Sequence, residues 1–528
     1  MPKDPASEIM DSRAAAAPVE RRWFGHPRGL ATLFFTEMWE RFSYYGMRAL
    51  LILFMTATVT ADNPGLGFEV NKAAAIYGLY TAMVYLLALP GGWVADNLWG
   101  LRKAVFVGGC IIAAGHFSMA IPTVATFYMG LMLITIGTGL LKPNISAIVG
   151  DLYPEGGARR DAGYSVYYMG INLGGFLGPL LCGFFGEGIN WHLGFSLAGF
   201  GMVAGLIQYR LGGHHLGDAG EFEVEDRAAL ARKNRNFYRT MAVVAALVVA
   251  AVLLVRSGVL AIPLPTVARS LSVVIVGLTI LYFIYLLIAG GHTTLEKRRL
   301  GVIFWLFLLA ALFWSGFEQA GSSLNLFAER LTDRVMLGWE MPASWLQSVN
   351  SFFIVLLAPV FGTLWVWLAN RQANPSIPVK FALGLLGLAM GFFVIAWGAA
   401  NATPENGASP AWLVVMYFLH TCGELALSPV GLSSMTKLAP RNRVGQMMGV
   451  WFVATALGNL IAGIVAGRAT AAARKPPRLL VEASGTTARR RRPRRRPRVW
   501  PRLLSTAPAT LILAAAPRPG LPGLGPPR

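Results

Sequence analysis

The sequence has few charged residues and very few cysteines. Asp, Glu, Lys and Arg make up 14% of its 528 residues, whereas 55% are hydrophobic. This balance is typical of a chain that crosses a membrane several times, and it excludes a row of soluble domains. Cys110, Cys182 and Cys422 lie in apolar runs, without the spacing of a metal site or a CxxC motif. We expect them to pack rather than to react.

Signatures of catalysis and of secretion are also missing. No HExxH, GxSxG or Asp-rich motif occurs, which disfavours an intramembrane enzyme, and no metal or organic cofactor is expected. The first 27 residues are polar and basic, without the apolar core of a cleavable signal peptide. The first apolar helix is therefore expected to direct membrane insertion.

Apolar runs of membrane-spanning length recur along the chain. A helix needs about 20 apolar residues to cross the hydrocarbon core of a bilayer. The runs predict thirteen such helices, with cores at 30–58, 73–95, 104–121, 124–149, 163–186, 191–209, 240–260, 267–290, 300–328, 345–369, 380–400, 411–436 and 446–467. The pattern predicts an all-α polytopic membrane protein that is embedded in the lipid bilayer.

Basic residues are concentrated in alternate loops between these helices. Lys and Arg precede the first helix and follow the second, fourth, sixth, eighth, tenth and twelfth, and most of the intervening loops are poorer in both. Loops rich in Lys and Arg stay on the cytoplasmic side. The N-terminus is therefore predicted to be cytoplasmic.

The first predicted helix carries charges that a membrane span rarely tolerates. Its segment TEMWERFSYYGMR, residues 36–48, includes Glu37, Glu40, Arg41 and Arg48. At about 100° per residue these side chains share one helix face with Tyr44. A charge at membrane depth costs about 3 kcal/mol or more, so this face is expected to look into protein or a watered cavity. A soluble amphipathic helix or a structural ion-pair ladder is the alternative, which the apolar flanks disfavour.

The end of the chain departs from this pattern. Residues 468–528 contain 15 Lys and Arg against one acidic residue, in a chain of net charge +20. Nucleic-acid binding is one interpretation of such a basic run. We favour a frameshifted or misassembled end that has replaced a final helix, and expect no nucleic-acid partner.

Several segments resemble the proton-dependent oligopeptide transporters of the major facilitator superfamily. The ExxERFxYYG signature of that family is matched by residues 36–48. Further matches are YYMGINLGGFLGP at 167–179, FWSGFEQAGSSLNLFAER at 313–330 and GELALSPVGLS at 423–433. The segment GGWVADNLWGLRK at 91–103 resembles the superfamily's loop between its second and third helices, with Asn97 in place of the usual Arg.

The resemblance implies a fold of two six-helix bundles, with two extra helices between them in many bacterial members. The implied domains are a cytoplasmic tail at 1–27, a first bundle at 28–211, a linker with two extra helices at 212–299, a second bundle at 300–467 and the aberrant tail at 468–528. The family's last core helix would then be missing or replaced. A bacterial inner membrane is the implied location.

The predicted site suits a short peptide, which is a zwitterion. Such a site needs cations at one end, a carboxylate at the other and adaptable walls between them. Arg41, Arg48 and Lys142 supply cations, and Glu318 and Glu424 supply carboxylates. The aromatic and amide side chains that the resemblance favours are Tyr44, Tyr45, Tyr85, Asn172, Asn350 and Trp451.

Proton coupling needs a group that is charged in one state and neutral in another. A buried carboxyl is driven towards its neutral form, and a nearby cation opposes this change. Glu37, Glu40 and Arg41 fit this requirement, and so does Glu318 if a cation approaches and withdraws. The family's architecture also implies two gating pairs, Arg48 with Glu318 and Lys142 with Glu424.

The predicted function is proton-coupled import of di- and tripeptides by alternating access, with peptides and protons as partners and a proton gradient as the driving force. The protein is expected to work as a monomer. Two alternatives stay open. One is a family member that carries another solute, such as nitrate or an amino-acid conjugate, and the other is a non-transporting remnant.

Overall fold

A computed structural model describes residues 23–154, 157–222, 226–261, 263–336, 338–402, 407–440 and 443–474. The predictions for residues 1–22 and 475–528 lie outside this part of the chain. The described residues are mainly α-helical. The α-helices are α1 (Arg28–Thr56), α2 (Val70–Leu86), α3 (Ala88–Val94), α4 (Leu101–Met119), α5 (Val124–Asp151), α6 (Gly157–Gly188), α7 (Trp191–Gly212), α8 (Arg227–Arg256), α9 (Leu264–Ile288), α10 (Thr294–Phe317), α11 (Ser323–Leu331), α12 (Ser348–Asn370), α13 (Ile377–Ala400), α14 (Ala411–Leu438) and α15 (Val444–Arg474).

Shorter elements interrupt or follow these helices. A π-helical turn at Ala95–Trp99 follows α3, and 3-10 turns occupy Gly213–Leu216, Glu318–Gly321 and Ala343–Gln347. The strands β1 (Val335–Met336) and β2 (Trp339–Glu340) pair antiparallel as a small hairpin after α11.

The prediction of an all-helical polytopic chain is confirmed. Within the described residues, ten helical stretches are long and apolar enough to cross a membrane by length and composition. The other three predicted spans form α1, α4 and α7, which are helices but are not among those ten. In α1 the reason is chemical, because Glu37, Glu40, Arg41 and Arg48 give the segment more charged residues than an ordinary span contains.

Three predicted helix cores have different limits in the structure. The core at 73–95 is divided between α2, α3 and the π-helical turn, which ends at Gly100 with a φ of 77°. The core at 300–328 breaks at the 3-10 turn Glu318–Gly321. The last helix was predicted to end at 467, yet α15 continues to Arg474, so the predicted start of the aberrant tail at 468 falls inside a helix.

The chain divides into two compact units by the density of its contacts. Unit 1 comprises Met1–Leu50 and Met83–Ile262, and unit 2 comprises Leu51–Ala82 and Pro263–Arg528. This division differs from the predicted domains in joining residues 51–82 to the later part of the chain. The predicted domain boundaries separate helical bundles, whereas the two units are defined by contact density, so the boundaries stay a prediction.

Close packing in each unit depends on small residues. In unit 1, a Cβ added to Gly137 of α5 would lie 2.5 Å from the carbonyl oxygen of Gly108 in α4. In unit 2, a Cβ on Gly423 of α14 would lie 2.6 Å from the carbonyl oxygen of Gly384 in α13. Helices in a membrane associate largely through such close backbone approach, because burial of apolar surface gives little driving force there.

Another close contact explains why residues 51–82 belong to unit 2. A Cβ on Gly463 of α15 would lie 2.6 Å from the carbonyl oxygen of Ala74 in α2, and a Cβ on Gly78 would lie 3.0 Å from the Cα of Gly463. The first turns of α2 therefore pack directly on α15.

Candidate functional site

The charged side chains of α1 form a buried cluster in unit 1. Glu37, Glu40 and Arg41 each expose 2% or less of their surface, as expected for charges at membrane depth. The Nε of Arg41 donates a 2.9 Å hydrogen bond to Oε1 of Glu37 and lies 2.5 Å from Oε2 of Glu40. Two carboxyl groups therefore share one guanidinium.

The two carboxyl groups have different surroundings. The single hydrogen on Nε of Arg41 is directed at Glu37, so Glu40 receives charge attraction from that atom but no hydrogen bond. Among the described residues, neither carboxylate oxygen of Glu40 has a hydrogen-bond partner, and the Nη2 of Arg41 also lacks one. A buried polar atom without a partner calls for an explanation, and a chemical role is one of them.

Tyr167 completes this cluster, although it is not among the site residues predicted from the sequence. Its hydroxyl donates a 2.8 Å hydrogen bond to Oε2 of Glu37, and it lies 3.4 Å from the hydroxyl of Ser146 in α5. Both oxygens of Glu37 are thus occupied. The available signal was the position of Tyr167 at the start of the YYMGINLGGFLGP motif, but its side-chain partner could not be read from that motif.

Glycines of α6 bring Tyr167 and α1 together. A Cβ on Gly178 would lie 2.5 Å from the carbonyl oxygen of Phe42, and a Cβ on Gly174 would lie 2.8 Å from the Cβ of Arg41. A larger residue at either position would push α6 away from the polar face. The glycines of the motif therefore position the cluster as well as pack the unit.

Aromatic rings accompany each cation of the predicted site in unit 1. The Cζ of Arg41 lies 5.3 Å from the ring centre of Tyr44, and the Cζ of Arg48 lies 5.7 Å from that of Tyr45. The Nζ of Lys142 lies 4.0 Å from the ring centre of Tyr85. Cation–π contacts of this kind stabilise a cation that is partly removed from water.

The two carboxylates predicted for the site in unit 2 are also buried. Glu318 exposes 3% and Glu424 exposes 8% of its surface. The Nδ2 of Asn350 donates to Oε2 of Glu424 at 3.3 Å and to the hydroxyl of Thr421 at 2.9 Å. Asn350 and Glu424, which are predicted separately, are therefore direct neighbours. Thr421, which is not among the predicted site residues, joins them.

The remaining predicted residues have more local surroundings. Asn172 is buried, and its Nδ2 donates to the carbonyl of Tyr168 in the preceding turn of α6. Trp451 is buried in unit 2, where its ring packs against Gly431. Glu318 begins the 3-10 turn that interrupts the helix, so its backbone is set apart from the regular turns of α10.

The structure thus assembles two clusters, one in each unit. Glu37, Glu40, Arg41 and Tyr44 lie together in unit 1, and Asn350 lies with Glu424 in unit 2. The gating pairs predicted for Arg48 with Glu318 and for Lys142 with Glu424 join residues of different units, and they stay predictions. Within the described ranges, no group of three or more His, Cys, Asp or Glu side chains could hold a metal ion.

Comparisons of sequence place this chain in a known family. The family model described as the POT family matches residues 102–479. Peptide transporter YePEPT of Yersinia enterocolitica is 44% identical over 464 residues, which are 86% of this chain and 90% of that protein. A di-/tripeptide transporter of Lactococcus lactis subsp. cremoris is 40% identical over 450 residues, which are 84% of this chain and 90% of the relative.

Comparisons of structure agree with the sequence. The crystal structure of peptide transporter POT in complex with sulfate has a TM-score of 0.78 and 42% identity, covering 86% of this chain and 91% of that one. The crystal structure of a POT family transporter in complex with a thioalcohol-conjugated peptide has a TM-score of 0.79 and 32% identity, covering 94% of this chain and 97% of the other.

Many apolar helices with charged clusters at membrane depth are typical of a membrane transporter. This chain belongs to the POT family of transporters. It has the major facilitator fold of that family, with two helical bundles and, between them in the sequence, two additional helices, α8 and α9.

Proposed function

We propose that this chain imports di- and tripeptides together with protons by alternating access. It acts as a monomer in a bacterial inner membrane, with its N-terminus in the cytoplasm, and needs no bound cofactor because the proton gradient drives it. Support for the substrate comes from the relatives, which are named peptide and di-/tripeptide transporters. The basic alternate loops support the orientation.

The observation that carries the coupling proposal is that the two carboxyl groups beside Arg41 differ in their hydrogen bonds. Glu37 receives hydrogen bonds from both Arg41 and Tyr167, whereas Glu40 receives none among the described residues. A carboxyl group without donors gains most from taking up a proton, which supplies its own donor and removes its buried charge. Glu40 is therefore our candidate for the proton carrier, and Glu37 holds Arg41 in place.

The charges of each unit suggest how a zwitterionic peptide is recognised. Unit 1 supplies Arg41, Arg48 and Lys142, which suit the terminal carboxylate of a peptide. Unit 2 supplies Glu318 and Glu424, which suit its ammonium group. Tyrosine rings beside the cations offer apolar surface that tolerates side chains of different size.

Other residues of the predicted site can contact the backbone and the side chains of the peptide. Asn172 and Asn350 carry amide groups that can exchange their present hydrogen bonds for bonds to a peptide backbone. Trp451 supplies an aromatic wall in unit 2. We propose that Glu318 takes part in coupling as well as in binding, since a buried carboxyl can alternate between a bound ammonium group and a proton.

The test is uptake of a radiolabelled dipeptide by proteoliposomes that contain the full chain. The parent should accumulate the dipeptide when the vesicle interior is alkaline. Glu40→Gln should abolish that accumulation but retain exchange between equal dipeptide concentrations, because exchange need not release the proton. Glu329→Gln is the matched control, since Glu329 pairs with its neighbour Arg330 at the end of α11, and it should behave as the parent.

Three results would contradict the proposal. Full gradient-driven accumulation by Glu40→Gln would place the proton route elsewhere. Uptake of nitrate or of an amino-acid conjugate, without inhibition by dipeptides, would replace the peptide by another solute. Folded parent protein that takes up no dipeptide above empty vesicles would support a non-transporting remnant.

A further inference from the structure

A basic cavity lies in unit 1 where α4 begins and α7 ends, away from the buried clusters. Its volume is about 560 Å³. The side chains that matter for its chemistry are Arg102, Lys103, Phe106, Tyr209, Arg210 and His214. Within the described residues, no carboxylate lines it. We call it the α4–α7 cavity.

The cations of the α4–α7 cavity are not equivalent. Arg102 is committed to the protein, because its Nε donates a 2.7 Å hydrogen bond to the carbonyl of Ala219 and its Nη1 lies 3.3 Å from Oε1 of Glu221. Lys103 and Arg210, by contrast, are exposed. A ligand that enters the cavity would therefore meet Lys103 and Arg210 as its cations.

Apolar surface borders these two cations. The Cζ of Arg210 lies 5.9 Å from the ring centre of Phe106, which forms one wall of the cavity. On α7, Phe200, Ile207 and Leu211 are 62%, 56% and 70% exposed. Spacings of seven and four residues place these three on one helix face. An exposed apolar stripe thus runs along α7 to the turn that carries Arg210. Ile207 and Leu211 of this stripe line a second cavity, together with Trp23 and Arg28, so the stripe lies beside the α4–α7 cavity and not inside it.

This combination is what an anionic phospholipid requires. The phosphate of a headgroup is attracted to Lys and Arg near the membrane surface, and the acyl chains need apolar surface that continues into the hydrocarbon region. A free inorganic anion would use the cations but would gain nothing from the stripe.

We propose that the α4–α7 cavity binds the headgroup phosphate of an anionic phospholipid through Lys103 and Arg210, with an acyl chain along Phe200, Ile207 and Leu211. The site is distinct from the charged face of α1. It also does not depend on which solute is transported, since none of its residues belongs to the proposed peptide site.

The experiment uses the full chain, purified in a neutral detergent and titrated with dihexanoyl phosphatidylglycerol. The readout is the rise in unfolding temperature, because a ligand that binds the folded state stabilises it in proportion to its occupancy. Dihexanoyl phosphatidylcholine has the same chains without net charge, and inorganic phosphate has the charge without chains. The parent should respond at much lower concentration to phosphatidylglycerol than to either.

Two double variants identify the site. Lys103→Gln with Arg210→Gln should raise the phosphatidylglycerol concentration at half-effect by about tenfold or more, since each basic residue near the surface contributes about fivefold in affinity. Lys233→Gln with Arg235→Gln makes the same charge change at exposed positions of α8 and should respond as the parent does. The single variant Lys103→Gln should give an intermediate shift.

Each other outcome overturns the proposal. An unchanged response of the Lys103 and Arg210 double variant would place lipid binding elsewhere. An equal response to phosphatidylcholine would show that the charge is irrelevant. An equal response to inorganic phosphate would make the cavity a free-anion site.

Discussion

The hydroxyl of Tyr167 donates a 2.8 Å hydrogen bond to Oε2 of Glu37, while Oε1 of the same carboxylate accepts from Arg41 at 2.9 Å. Glu37 is therefore held from two sides, by its own helix and by α6. Hydrogen bonds to a charged group contribute about 1.5–3 kcal/mol each. A residue outside the ExxER signature thus fixes one of the signature's carboxylates.

The first prediction concerns this hydrogen bond. Tyr167→Phe removes the hydroxyl and leaves one oxygen of Glu37 buried without its donor. We expect gradient-driven dipeptide uptake to fall by about tenfold or more, because Glu37 would then compete with Glu40 for Arg41 or take up a proton itself. Initial rates of uptake into proteoliposomes, at several values of external pH, measure the effect.

Tyr164→Phe is the matched control on the same helix. The hydroxyl of Tyr164 donates to the backbone carbonyl of Ser146 at 3.0 Å. In the described part of the chain it is not among the hydrogen-bond donors to Glu37, which are Arg41 and Tyr167. It should leave the pH profile of uptake unchanged. Equal losses in the two variants would mean that Tyr167 acts through general packing of α6, and not through Glu37.

The polar face of α1 was predictable because helix geometry alone fixes which side chains share a face. Glu37, Glu40 and Arg41 lie within one turn, so their contact needed no knowledge of other helices. Tyr167 lies 130 positions away from Glu37. Its contact depends on how closely α6 approaches α1, which Gly174 and Gly178 determine in three dimensions.

The second prediction concerns the amide that contacts Glu424. Asn350→Ala removes the donor to Oε2 of Glu424 and to Thr421. Because Glu424 would lose its orientation, we expect the KM for a dipeptide to rise by about tenfold with a smaller change in kcat. Asn401→Ala, at the exposed end of α13, is the control and should not change KM. A decrease in kcat with an unchanged KM would assign Asn350 to a conformational step instead.

Two interruptions within the helices could not be predicted from the hydropathy of the sequence. Apolar runs predicted continuous helices at 73–95 and 300–328, because hydropathy does not distinguish an α-helix from a π or 3-10 turn. The first run is divided between Leu86 and Ala88 and leaves the α-helix again at the π-helical turn Ala95–Trp99, and the second breaks at Glu318–Gly321. The second break coincides with a predicted site residue, Glu318. Irregular backbone at membrane depth is tolerated only where protein or a watered cavity surrounds it.

The third prediction tests the glycine contact between α4 and α5. In Gly137→Ala the new Cβ would lie 2.5 Å from the carbonyl oxygen of Gly108, so the two helices would have to separate. Overpacking of this kind costs about 1–3 kcal/mol. We expect a lower unfolding temperature in detergent. Gly362→Ala is the control on α12, because a Cβ there meets nothing within 4 Å, and it should be neutral or stabilising.

The last prediction concerns the segment after α7, which is tied to the start of α4. Arg102 donates to the carbonyls of Gly217 and Ala219, and the backbone N–H of Gly220 donates to Oδ2 of Asp151 at 3.2 Å. Arg102→Gln shortens the side chain and removes the planar group that reaches both carbonyls. We expect the amides of residues 217–221 to exchange hydrogen for deuterium faster by about tenfold, since losing two hydrogen bonds corresponds to roughly 1–3 kcal/mol of local stability.

Arg239→Gln, exposed on α8, should leave exchange in this segment unchanged. If Arg102→Gln also leaves it unchanged, the bond from Gly220 to Asp151 alone holds the segment, and Asp151→Asn should then release it.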